Sequence, residues 1–193
     1  ITLRYAEAEY TVAARWVVDA SGRTGLLKRQ LGLTKSAPHT INSVWFRIDE
    51  PIDVANWSPD LKWQTRIPPH IRRLSTNHLV GHGYWVWLIP LPSGATSVGI
   101  VADTTIHPHN QLNRIERALA WLEVHEPQCA SVVKAHLDKL QDFRALRDCA
   151  LGCEQVYSTE RWCLTGEAGL FLDPLYSLGS DFIGIGNTYI TDL

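Results

Sequence analysis

Twice in this chain, once near each end, a short apolar run stops at a cluster of small residues and then passes into a helical stretch. Trp16-Val17-Val18 breaks at Asp19-Ala20-Ser21-Gly22, and residues 24–31 follow with helical spacing up to Gly32. Residues 162–165 break at Gly166-Glu167-Ala168-Gly169, and a last helical stretch starts near Ser180. A continuous apolar run bounded by such a turn is the pattern of a strand buried on both faces, as in a parallel sheet. The middle is built differently. Residues 41–48, 75–80, 84–91 and 96–102 read as strands of one antiparallel sheet, with Pro92-Ser93-Gly94-Ala95 joining the last two as a hairpin. Residues 52–70, rich in Pro and Trp, read as a loop with short turns. Leu112, Ile115, Ala118, Leu119 and Leu122 form one helical stripe. Pro127 ends that helix or starts the next, which carries Val132, Val133, His136, Leu137 and Leu140, and residues 145–157 return to strand. The expected fold class is α/β with an α+β insert. Residues 1–33 and 158–193 form one domain, interrupted by an antiparallel-sheet domain with a helical pair over residues 34–157.

The 193 residues suffice for one large domain or two small ones. The net charge of -2, with no run of Lys or Arg, excludes an electrostatic footprint for nucleic acid. No apolar stretch approaches the length that spans a bilayer, and no signal peptide pattern is present. Cys129, Cys149, Cys153 and Cys163 match neither a redox pair nor a zinc site, and read as reduced thiols of a cytoplasmic protein. His107-Pro108-His109 has no third ligand nearby in sequence and reads as a turn, so no metal is expected. His78 and His82 read as polar residues at strand ends. The chain has no Met and opens with Ile1, Leu3 and Tyr5 alternating with Thr2 and Arg4, so it reads as a fragment that starts in mid-strand.

Two segments carry chemistry. In residues 162–187 a strand ends at Gly166, where the backbone can approach a ligand closely. The acid Glu167 follows at once, then a loop through Asp173-Pro174 to Gly179 and Ser180 that opens a helix. A helix start offers unpaired N–H groups and partial positive charge, which suit an anionic group. In the second segment, Trp85-Val86-Trp87-Leu88-Ile89-Pro90, a strand would put Trp85, Trp87 and Ile89 on one face. The plainer reading of that face is sheet core.

The first segment resembles the second FAD-binding motif of the FAD monooxygenase superfamily, an acidic residue after Gly followed by Pro and Gly, with Glu167 where Asp is usual. The second matches WxWxIP, the signature of flavin-dependent halogenases. WVVDASGRTGLLKRQLG, residues 16–32, resembles the superfamily stretch ending a strand in DA-x-G, with Asp19, Ala20 and Gly22 at the matching positions. The chain is therefore identified as similar to the flavin-dependent (tryptophan) halogenase-like family. That resemblance implies a partial FAD/NAD(P)-binding Rossmann-like domain with an inserted substrate domain.

It implies FAD, supplied reduced by a flavin reductase, held by Asp19, Gly22, Gly166, Glu167, Asp173, Pro174, Gly179 and Ser180. It implies a chloride site at the backbone of Ser177 and Gly179, and the indoles of Trp85 and Trp87 as a wall beside the flavin. The substrate would be a small organic molecule, free or carrier-bound, with Trp57 and Trp63 as a candidate wall. Arg23 reads equally as a phosphate contact and as a solvated side chain. The family's GxGxxG turn and its halogenase lysine would precede residue 1, and Lys28, Lys35, Lys62, Lys134 and Lys139 stand in other contexts. The isolated fragment is thus expected to bind FAD weakly or not at all, and to be inactive alone. Two rival functions share these motifs: a flavin-dependent hydroxylase or double-bond reductase, and a non-catalytic module derived from a flavoprotein.

Overall fold

The computed structural model describes residues 1–69 and 71–192, with Asn56 described by its backbone alone. His70 and Leu193, the last residues of the expected 52–70 loop and 158–193 segment, lie outside the described residues. The chain divides into two compact units, one made of Ile1–His39 and Ala150–Leu193, the other of Thr40–Cys149.

The first unit begins with β1 (Thr2–Tyr5) and β2 (Ala8–Thr11), an exposed antiparallel hairpin. β3 (Val17–Asp19) follows, then a 3-10 turn over Gly22–Thr24 and the short helix α1 (Leu26–Gln30). The helix is shorter than residues 24–31 because Gly25 takes a left-handed φ of +53° and separates it from the preceding turn. Gly32, at φ +69°, ends it, as expected of a glycine past a helix terminus. β4 (Thr34–Lys35) then pairs with a strand from the other end of the chain, which extends this unit beyond the expected limit at residue 33.

The second unit holds β5 (Ile41–Ile48), a single helical turn α2 (Leu61–Gln64), and the strands β6 (Asn77–Gly81), β7 (Tyr84–Pro90) and β8 (Thr96–Asp103). Helices α3 (Ile115–His125) and α4 (Pro127–Ala135) precede β9 (Leu140–Leu146). Pro127 stands at the first position of α4, where its missing N–H costs nothing. The five strands form one antiparallel sheet in the order β6-β7-β8-β5-β9. β9 begins at Leu140, earlier than the expected return to strand at 145. After Ala135 the chain makes only one more 3-10 turn, and β9 then pairs with β5 through Phe46↔Phe143 and Arg47↔Asp142.

Back in the first unit, only short pieces follow: β10 (Gly152–Cys153), which pairs with β4, and β11 (Tyr157–Ser158). β12 (Trp162–Leu164) and the fourteen-residue helix α5 (Leu178–Thr191) close the chain. β11, β12 and β3 make a three-stranded sheet in which β12 and β3 are parallel, as the two apolar runs predict.

Alternation in the large sheet separates its two faces. Val44, Phe46 and Ile48, Val86 and Leu88, and Val98 and Ile100 are buried in one cluster with Leu119 and Leu122 of α3 and Val133 of α4. Each such side chain fully removed from water stabilises the fold by about 1.5–3 kcal/mol. Trp57 also packs against this cluster, so it serves the core rather than an open wall. Trp63 stacks under the Arg72 guanidinium, 3.7 Å away. The opposite face carries Trp45, Trp85 and Trp87. Trp87 faces Gly99 across the β7–β8 ladder, and its indole lies flat over that glycine: a Cβ on Gly99 would come within 2.1 Å of Trp87 Cζ2.

Gly to Ala within a strand ordinarily gains stability. Here the Gly99→Ala substitution is expected to cost about 1–3 kcal/mol, the usual penalty for forcing an extra carbon into a filled site. Urea denaturation checks this, and the penalty should vanish in a Trp87→Ala background.

Candidate functional site

The parallel pairing of β12 with β3 sets Leu164 beside Asp19, and the Thr165 N–H donates to the Asp19 carbonyl at 3.0 Å. Both strands therefore end at one edge, and the turns that leave them lie side by side. Ligands of open α/β sheets bind outside the carboxyl ends of their strands. At the head of the second turn Gly166 has φ +59°, and an added Cβ would meet only the tip of Ile183, at 3.8 Å. Gly22, at φ +62°, has no atom within 4 Å of that position. Both glycines leave room for close approach.

The acids of the two turns are used differently. Asp19, 8% exposed, accepts the N–H of Ser21 at 2.8 Å and of Leu27 at 2.7 Å, so both carboxylate oxygens serve the turn and the start of α1. Burial by itself would raise its pKa, but the hydrogen bonds from Ser21 and Leu27, with Lys28 nearby, hold it below the ordinary Asp value. Its carboxylate thus shapes the turn instead of projecting from it. Glu167 is part-exposed and meets the Arg23 guanidinium at 3.4 Å. Arg23 is accordingly neither a purely solvated residue nor a free phosphate contact in this structure. At this exposure such a pair adds little stability.

In the loop before α5, Asp173 Oδ1 accepts the Leu175 N–H at 2.8 Å across Pro174, and Oδ2 faces His39 Nε2 at 3.1 Å. Tyr176 and Ser177 then take left-handed φ values of +53° and +57° in succession. For non-glycine residues such backbone costs on the order of 1–3 kcal/mol each and persists where the surroundings impose it. α5 starts at once, at Leu178 and not Ser180, so Gly179 and Ser180 lie in its first turn, with Asp181 as the acid at the positive end. No residue of α5 is buried. A cleft of about 190 Å³ lies between this helix and the turn after β12, lined by Leu164, Gly166, Gly179, Phe182, Ile183 and Gly186.

In the second unit Trp85, Trp87 and Ile89 share one face, opposite Val101, Gly99 and Ser97. The two indoles are 5.6 Å apart with planes inclined at 44°. Trp87 Nε1 donates to Ser97 Oγ at 3.1 Å. Trp85 is buried, and its Nε1 has no hydrogen-bond partner among the described residues. His78 is no mere strand-end residue: its ring packs 5.5 Å from Trp85, and burial lowers its pKa.

Two features escape the sequence. His107 lies in a turn, as expected, its N–H donating to the Asp103 carbonyl at 2.8 Å, but its side chain is buried. Its Nδ1 accepts the Trp121 indole N–H at 3.1 Å, which leaves Nε2 to carry the proton and donate to the His82 carbonyl at 3.0 Å. It belongs to a ring cluster with Tyr84, Trp121 and His125. Tyr84 is pushed up to about 12 by burial and by its hydrogen bond to Glu126. Lys28 is buried, with its Nζ 2.9 Å from the Gly169 carbonyl. No pattern of apolar spacing in the sequence places Lys28 inward. Among the described residues, no three His, Cys, Asp or Glu side chains cluster in a way that would hold a metal ion.

No family model matches the chain. It is similar to the flavin-dependent halogenase chlA of Dictyostelium discoideum, 26% identical over 95% of this chain and 30% of the relative. It is also similar to tetracycline 7-halogenase of Kitasatospora aureofaciens, 31% identical over 88% of this chain and 31% of that enzyme. The 1H-pyrrole-2-carbonyl-[peptidyl-carrier protein] chlorinase of Pseudomonas fluorescens is 28% identical over 87% of this chain and 35% of its own length. The chain thus spans about a third of the curated relatives it matches. Among solved structures, the flavin-dependent halogenase CmlS superposes with a TM-score of 0.65 at 26% identity, over 94% of this chain and 30% of that one. The brominase Bmp2 has the same fold, with a TM-score of 0.67 at 23% identity over 93% and 42%. In sequence and fold the chain is thus similar to part of the flavin-dependent halogenases.

Asp19 has a lowered folded pKa, so its stabilisation is present above the ordinary carboxylate range and is lost as pH falls through the folded value. Replacing Asp19 with Ala should cost about 1–2 kcal/mol at pH 7, the usual worth of such a cap. Urea titrations at pH 7 and pH 3 should show the gap between variant and wild type narrowing at the acid end. An equal gap at both would mean that the carboxylate's charge contributes nothing.

Proposed function

We propose that this chain is part of an FAD-dependent, halogenase-like oxidoreductase. In this reading Ile1–His39 with Ala150–Leu193 belongs to the FAD-binding domain, and Thr40–Cys149 is the substrate domain. The observation that carries the proposal is the strand, left-handed glycine turn and helix over residues 162–191, in a chain 26–31% identical to halogenases over most of its length. The residues present fit the cofactor. Gly22 and Gly166 are open to close approach, the cleft beside Gly166 is largely apolar-lined, and the α5 N-terminus is compatible with negative charge.

FAD, when bound and reduced, would supply the two electrons that activate oxygen, and the activated oxygen would take two electrons from a halide. The chain's own residues bind and orient. Gly166 lets the backbone reach the cofactor, and Glu167 can accept a hydroxyl hydrogen bond while Arg23 neutralises its charge. Asp173 and Pro174 fix the bend that leads into α5, and the N–H groups of Gly179 and Ser180 meet negative charge at the helix start. Ser177 and Gly179 are the backbone positions assigned to chloride. Trp85 and Trp87 form an apolar wall that excludes water and keeps the organic substrate from direct reaction at the cofactor. The substrate is assigned as a small organic molecule or a carrier-bound one, because relatives named for a tetracycline and for a carrier-bound pyrrole lie on both sides. A separate flavin reductase and a cytoplasmic setting complete the reading. No helix among the described residues is long and apolar enough to cross a membrane.

A hydroxylase or double-bond reductase is the second reading, because the same cofactor motifs serve both. FAD titration of the full-length protein carrying this chain, with turnover assayed at varied chloride and bromide, separates them. The expected result is tight FAD binding with halide-dependent product. Turnover without halide dependence would assign the second reading, and absence of FAD binding would leave a non-catalytic module.

A further inference from the structure

Lysine is among the residues least often found inside a protein, yet Lys28 is only 5% exposed. It lies in α1, and its Nζ donates to the Gly169 carbonyl at 2.9 Å in a buried hydrogen bond. Gly169 closes the turn that opens at Gly166, its own N–H bonded back to the Gly166 carbonyl at 3.0 Å. Lys28 therefore ties the turn after β3 to the turn after β12 from within. The local backbone makes room for it. Gly25 takes φ +53°, and a Cβ there would press to 3.0 Å of Lys28 Cε. The Asp19 carboxylate, at the root of the first turn, is lowered in part by the charge of Lys28. A second cation, Arg23, reaches the same turn through Glu167, but from a part-exposed position.

The fold alone does not demand an ammonium here. The hydrogen-bond partner of Lys28 Nζ is a carbonyl and not a carboxylate, so removing the ammonium breaks no buried ion pair. A cation placed beneath a ligand-binding turn has a different effect: it presets the turn for negative charge before the ligand arrives.

We propose that Lys28 is a positioning residue for the cofactor, holding the Gly166–Gly169 turn in its binding form and setting a positive charge under it for an anionic dinucleotide. This rests on the reading of that turn as an FAD contact. The test is an FAD titration of the full-length protein carrying this chain, as wild type, Lys28→Met and Lys28→Arg, with thermal melts of each apoprotein. Lys28→Met is expected to weaken FAD binding by roughly tenfold or more, with a folded apoprotein whose melting temperature falls by only a few degrees. Lys28→Arg, which keeps donor and charge, is expected to recover most of the affinity. Wild-type affinity in Lys28→Met overturns the proposal, as does a loss that Arg fails to restore. If Lys28→Met does not fold, Lys28→Gln, which keeps a donor without the charge, decides the matter on the same readings. A wild type that binds no FAD overturns the cofactor reading itself, and is distinguished by failing before any variant is compared.

Discussion

The candidate site depends on three residues of parallel pairing, Trp162–Leu164 of β12 against Val17–Asp19 of β3. Parallel neighbours cannot be joined by a tight turn and need a crossover. Here the crossover contains a whole second unit, Thr40–Cys149. A connection of that length would carry a closure cost if it were slack. It is not slack, because its first and last strands pair with each other. Ser43 of β5 stands opposite Leu146 of β9, and the Cys149 N–H donates to the Ile41 carbonyl at 2.9 Å. The chain leaves the second unit next to where it entered. The antiparallel sheet is thus a clamp that returns residue 150 to the neighbourhood of residue 39, and the short parallel pair needs to close only the gap that remains.

Once β3 and β12 are paired, their turns divide the work. Asp19 spends its carboxylate on main-chain N–H groups, Lys28 crosses to the Gly169 carbonyl, and Arg23 reaches Glu167. Most of the charged groups in these two motifs therefore bind each other or the backbone. Their effect on a ligand comes through the shape of the turn, with the open approaches left to Gly22 and Gly166. A similar economy holds in the large sheet. Trp87 can lie flat because Gly99 has no side chain, and Ser97 fixes the ring by taking its N–H.

Much of this was legible along the chain. The strand of residues 41–48 is found with those limits, and the hairpin around Gly94 and the helix boundary at Pro127 also lie where the sequence reading puts them, because each depends on local chemistry: apolar spacing, turn residues, a missing N–H. The limits of α1 and β9 and the start of α5 were less legible. They depend on where a left-handed residue falls or where a partner strand begins, and neither leaves a periodic trace. The motif positions at Trp85, Trp87, Gly166 and Glu167 could be named from the sequence, but not the partners they take.

The sequence by itself determined the two-part α/β character, the shared face of Trp85, Trp87 and Ile89, and the bend at Asp173-Pro174 ahead of a last helix, since all three follow from spacing within a few residues. Only the tertiary structure decided that Lys28 is inside, that Glu167 is held by Arg23, and that His107 is a hydrogen-bonded core residue. Those outcomes join residues from distant parts of the chain, or from separate elements of one unit. Burial and charge pairing are properties of the packed assembly, and no local pattern encodes which distant atom will supply the partner.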